Sequence, residues 1–86
     1  MSQISQHIGS RIRSFRRAHG MTLQQLADKI HKSRASVSKY ETGEITVDIE
    51  TLFEIAQVLE TELSLLTDYR PQKPLPPQRQ IKEEII

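Results

Sequence analysis

Residues Thr22 to Gly43, TLQQLADKIHKSRASVSKYETG, constrain this chain more than any other stretch, because they spell two short helices with almost nothing between them. Leu23, Leu26, Ala27 and Ile30 recur at i, i+3, i+4 and i+7, the apolar stripe of one helix face. Thr22 precedes that stripe and Gln25 follows three residues later, the spacing of a capping box. Ser33 repeats the hydroxyl start signal for a second helix over residues 34–41, and Thr42-Gly43 supplies its stop. On that second helix only Val37 and Tyr40 are plainly apolar. Arg34, Ala35, Ser36, Ser38 and Lys39 are short or basic, so its outer face is suited to a polar partner.

Composition limits the alternatives. Eighty-six residues make one small domain, near the size at which a single core is marginal and dimers are common. No cysteine is present, which excludes disulfides and thiolate metal sites. The apolar runs are too short for a membrane span and the N-terminus has no signal-peptide pattern, so a cytoplasmic protein is expected. Net charge is only +1, but it is unevenly placed. Residues 1–46 carry eight Lys/Arg against three Asp/Glu, while residues 47–69 carry six acids and no Lys/Arg. The basic part contains the polar-faced helix; the acidic part is expected to turn away from any polyanion.

The run LQQLADKIHKSRASVSKYETG followed by VDIETLFEIAQVL resembles the helix-turn-helix of the Cro/repressor (XRE) family of bacterial DNA-binding regulators. The resemblance spans roughly residues 8–66 and rests on Leu26-Ala27, Ser36-Val37, Glu41, Gly43, Asp48 and Leu52 in register. It implies an all-α, lambda-repressor-like domain of four to five helices over residues 1–69. Its second helix would lie in the major groove and reach base edges with residues near its N-terminus. Operator DNA is the implied partner and repression the implied task, in a bacterial cytoplasm and on the nucleoid when bound. No cofactor, metal or catalytic constellation is expected.

By that resemblance Arg34, Ala35, Ser38 and Lys39 approach bases. Arg34 has the bidentate fork for guanine O6 and N7, and Ala35 is small enough to meet a thymine methyl. Gln24, Lys32, Ser33, Ser36, Tyr40 and Thr42 form the implied phosphate set. Ser33 both caps the helix and offers a hydroxyl at its positive end. Ser36 has two equal readings, phosphate contact or inward packing. Tyr40 fits the core margin better than a base, with its hydroxyl left to meet phosphate. Arg16 and Glu41 are implied to form a structural ion pair.

Three positions depart from the family pattern. Leu23 replaces a phosphate-contacting glutamine. His31 replaces the glycine of the inter-helix turn, where left-handed backbone strains a residue with a Cβ; a turn role is the better reading than a metal or switch role. Glu44-Ile45-Thr46 replaces basic residues near the backbone, which Lys32 offsets in part.

Along the rest of the chain, Met1 to Gln6 is short and polar and is expected to fray. Ser5 reads as the cap of a first helix lined by Ile8, Ile12 and Phe15, with Gly20 as its left-handed stop. Arg11, Arg13 and Arg17 on that helix are open to two readings, solvated face or phosphate contact. Asp48 caps a later helix whose Ile49, Leu52, Phe53, Ile55, Ala56 and Leu59 make a face broader than one stripe, the excess fitting a dimer surface. Residues 62–69 place Leu63, Leu65, Thr67 and Tyr69 at period two, a strand signal competing with a short helix through Leu63 and Leu66. IAQVLETELSLL is similar to the end of HipB-type antitoxins, in which a C-terminal strand pairs across a homodimer. Leu63, Leu65 and Thr67 are then interface residues, and the alternative function is an antitoxin that neutralises a protein toxin and represses its own operon. From Arg70 the chain holds all four prolines and little to bury, a composition expected of a disordered tail over 70–86. Ile81 and Ile85 could dock on a partner or a dimer mate.

Overall fold

The computed structural model describes residues 2–69, and every regular element in that range is helical. Helix α1 spans Gln3–Ala18, α2 Leu23–Lys29, α3 Arg34–Thr42, α4 Ile49–Val58 and α5 Leu63–Leu66. The proline-rich segment 70–86, with Ile81 and Ile85, lies outside the described residues.

Local chemistry sets the helix starts. In α2 the capping box is complete: the Gln25 N–H donates to Thr22 Oγ1 at 3.0 Å and the Thr22 N–H to Gln25 Oε1 at 2.8 Å. Ser33 caps α3 by accepting from the Ser36 N–H at 3.0 Å. Asp48 caps α4 by accepting from the Thr51 N–H at 3.1 Å and the Thr51 hydroxyl at 2.7 Å. Helix α1 begins earlier than the Ser5 signal implies. Ser2 is its cap, so Gln3–Gln6 form its first turn, and Ser5 is buried, hydrogen-bonded to Thr46 Oγ1 at 3.1 Å.

Three helices end in the same hydrogen-bonded motif, with one residue in left-handed conformation. After α1 it is Gly20 (φ 68°), after α2 His31 (φ 59°), after α4 Glu60 (φ 54°). In each case the next N–H reaches back five residues: Met21 to Arg16 O, Lys32 to Ala27 O and Thr61 to Ala56 O, at 2.9–3.1 Å. This Schellman closure satisfies otherwise orphaned carbonyls. Glycine adopts it freely, so His31 and Glu60 hold it at the expense of local strain.

Ile12, Leu26, Val37, Ile55, Leu59 and Leu66 are fully buried, one or more from every helix, each contributing about 1.5–3 kcal/mol by leaving water. Leu66 decides between the two readings of residues 62–69. A strand at period two would put Leu63 and Leu65 on one side and Leu66 on the other. The core instead takes Leu66 and part of Leu63, which are three residues apart and share a helical face, and leaves Leu65 45% exposed. Helix α5 therefore replaces the strand that carried the HipB likeness. Of the interface set, Leu63 packs inward while Leu65 and Thr67 remain exposed. Beyond α5, Asp68 bonds His7 Nε2 at 2.8 Å and the Arg11 guanidinium, and Tyr69 donates to Gln3 Oε1 at 2.7 Å. These contacts hold the residues that follow α5 on α1. No described helix is long and apolar enough to cross a membrane.

Candidate nucleic-acid interface

Helix α3 has two chemically distinct faces. Val37, Tyr40 and Glu41 are buried against the other helices. Arg34, Ala35 and Lys39 are exposed, and Ser38 is partly so. Arg34 with Ser38, and Ala35 with Lys39, are i, i+4 pairs, so these four side chains form one outward patch beginning in the first turn. Around it, Lys32 and Ser33 are exposed in the turn before α3 and Thr42 at its end. Gln24 is exposed on the first turn of α2, its amide donating to Asp28 Oδ1 at 2.9 Å. Ser36 is half-buried and accepts a hydrogen bond from the Ser33 hydroxyl at 2.9 Å, so both Ser36 readings retain a structural element.

Tyr40 takes the core-margin place read from the sequence: its side chain is only 6% exposed and lies three residues from Val37 on the buried face. Of the three α1 arginines open to two readings, Arg11 engages Asp68 with its guanidinium, whereas Arg13 and Arg17 are exposed.

The patch is held by the pairing of α3 with α1. Arg16 Nε donates to Glu41 Oε2 at 2.6 Å and Arg16 Nη2 to Glu41 Oε1 at 3.0 Å, a bidentate fork with side-chain exposures of 10% and 5%. The third guanidinium nitrogen donates to the Met21 carbonyl at 2.8 Å. The hydrogen bond to Glu41 raises the Arg16 pKa above its ordinary value, against the opposing effect of burial. Two turns earlier on α1, Gly9 lets the backbones touch: a Cβ there would stand 2.3 Å from the Tyr40 carbonyl oxygen and 2.5 Å from that of Glu41. Gly43 closes α3 at φ 82° and lies against Gln6 of α1.

Gly9 escaped the sequence reading, although a lone glycine inside a helical pattern is itself a signal of close packing. The Asp68 cluster had no comparable signal, because its members are 57 and 61 positions apart. Charge follows the same division as the sequence. Arg34 and Lys39 lie in the patch and Lys32 beside it, whereas Glu50, Glu54, Glu60 and Glu62 are exposed on α4 and the segment leading to α5. Among the described residues no group of three or more His, Cys, Asp or Glu could hold a metal.

A family model described as helix-turn-helix matches residues 12–66, which include α2, the turn and α3. A Methanobrevibacter smithii protein named as an HTH-type transcriptional regulatory protein is 33% identical over 60 residues, 70% of this chain. The chain spans only 19% of that relative's length. Among solved structures, the clp gene regulator ClgR from Corynebacterium glutamicum superposes with a TM-score of 0.72 at 27% identity, covering 77% of this chain and 86% of that one. The restriction-modification controller protein C.AhdI from Aeromonas hydrophila gives a TM-score of 0.68 at 28% identity, covering 71% and 92%.

Proposed function

The chain belongs to the helix-turn-helix family, and from that premise we propose that it is a transcriptional regulator, acting as a repressor, that reads operator DNA with α3 in the major groove. The observation that supports this most is the outward patch of Arg34, Ala35, Ser38 and Lys39 on a helix whose opposite face is locked to α1. Base readout needs such rigidity, because a bidentate contact discriminates only if the fork arrives in a fixed orientation. Arg34 and Lys39 supply donors to guanine, Ala35 an apolar contact, and Ser38 a hydroxyl. Gln24, Lys32, Ser33, Ser36 and Thr42 take the phosphate oxygens on either side, which positions the helix without reading sequence.

Operation as a homodimer fits this reading, since a single short helix covers only a half-site and two-fold symmetry doubles it. Leu65 and Thr67, exposed at and after α5, are the residues we assign to the subunit contact.

Selection from a random duplex library, followed by anisotropy titration of the selected and scrambled sequences, tests the proposal. A two-fold symmetric site is expected, bound about a thousand-fold or more better than the control at physiological salt. Its half-site centres should lie about 34–36 Å apart. Equal binding of selected and scrambled duplexes overturns sequence reading by α3. Sedimentation at the titration concentrations checks the dimer separately.

A further inference from the structure

The most exposed large apolar side chains on α4 are Ile49, 59% exposed, and Phe53, 52% exposed. They are i, i+4 neighbours and form one stripe, flanked along the same helix by exposed Glu50, Glu54 and Gln57. The α3 patch does not include this face, and its acidic border is the wrong sign for DNA. Two adjacent apolar side chains bordered along one flank by the carboxylates of Glu50 and Glu54 form a surface complementary to a basic segment that also carries apolar groups.

A second copy of the same face is poorly matched to it. An isologous pairing would set Glu50 and Glu54 of one protomer against those of the other around the two phenyl rings. The chain itself supplies a better match. Residues 70–82 contain Arg70, Lys73, Arg79 and Lys82 with no acid, and Leu75 and Ile81 lie among them. Pro71, Pro74, Pro76 and Pro77 narrow the unbound ensemble, which reduces the entropy lost when such a segment is ordered. Reach is sufficient: 17 residues extend up to about 56 Å, while a domain of 69 residues has a radius of gyration of about 11 Å. The starting point is anchored, because Asp68 and Tyr69 are bonded to α1.

We propose that residues 73–82 of the chain's own C-terminal segment dock on the α4 face, with Leu75 or Ile81 against Ile49 and Phe53 and the lysines and arginine beside Glu50 and Glu54. This contact covers the apolar stripe and neutralises its border. It does not depend on DNA reading, and its test is made without DNA.

Because the chain has no cysteine, Gln78→Cys carries a single nitroxide in the full-length protein. In isotope-labelled protein, the amide signals of Ile49, Phe53 and Gln57 should lose most of their intensity, while those of Gln24 and Asp28 on α2 keep theirs. Phe53→Gln or Glu54→Lys, each at an exposed position and checked by its melting curve, should restore the α4 signals. A second sample mixes nitroxide-bearing chains without isotope with isotope-labelled chains without nitroxide, and should show no loss. Equal intensities throughout overturn the proposal. Loss in the mixed sample overturns it in favour of the segment of another copy. Unchanged α4 broadening in Phe53→Gln, together with a fall in mass from dimer to monomer, overturns it in favour of a second α4 face.

Discussion

Replacing Arg16 by methionine is expected to destabilise the protein far more than any exposed arginine does. The substitution keeps an unbranched chain of similar reach but removes the fork that satisfies both oxygens of Glu41, whose side chain is 5% exposed. It also strips a donor from the Met21 carbonyl. Breaking a buried pair from one side costs about 3–5 kcal/mol, because the surviving charge has neither water nor partner. A domain of this size holds roughly 5–15 kcal/mol in total. At about 4–8 °C per kcal/mol, the melting temperature should fall by roughly 12 °C or more. Arg13→Met, at an exposed site, should stay within about 0.5 kcal/mol of the parent. The informative protein is the double variant Arg16→Met/Glu41→Leu, which removes both charges and should recover most of the loss. Urea unfolding followed by helical circular dichroism measures the parent, Arg16→Met, Glu41→Leu and the double variant, and the cycle isolates the coupling. A loss below about 1 kcal/mol for Arg16→Met, or a double variant as unstable as the sum of its singles, would refute the reasoning that α3 is clamped by this pair.

Gly9→Ala should destabilise by about 1–3 kcal/mol although alanine is the better helix former, because the added methyl meets backbone oxygens of α3 that have no rotamer to change; a gain in melting temperature would contradict the close approach. His31→Gly and Glu60→Gly should each stabilise by about 0.5–1 kcal/mol, relief of left-handed strain outweighing the entropy of an added glycine; a loss in both would show that the strain is absent. The Asp48 carboxyl is held below its ordinary pKa by the hydrogen bonds from Thr51, and that of Asp68 by those from His7 and then Arg11. Their contributions are therefore present above the ordinary carboxylate range near pH 4 and disappear as pH falls through the lower folded values. Melting temperature should drop on acidification below about pH 4, and less steeply in Asp68→Asn; identical acid profiles for variant and parent would remove Asp68 from this role. On DNA, Arg34→Ala should cost about 1–3 kcal/mol and relax choice at one base pair, whereas Lys32→Ala should weaken every sequence alike and reduce the salt slope by about one. The reverse pattern in a titration across salt would exchange their assignments.

Much of this molecule is local and so was legible in one dimension. Caps at Thr22, Ser33 and Asp48 act within three residues, and the stripe Leu23, Leu26, Ala27, Ile30 follows from helical period, so the two-helix unit and its outward side chains could be read without coordinates. The left-handed stop at Gly20 is local too, and the family resemblance placed the equivalent turn on His31.

Tertiary packing decided what local signals left balanced. Residues 62–69 alternate well enough for a strand, but Leu66 fills the core only if Leu63 shares its side, and that burial selects α5. Arg11, open to two readings on the helix face, became the partner of a carboxylate 57 positions away. Gly9 matters through two carbonyl oxygens of another helix, a steric demand that belongs to no local pattern. Period and capping act over a few residues and can be read along the chain; burial and ion pairing depend on which segments meet, and only the folded arrangement brings those segments together.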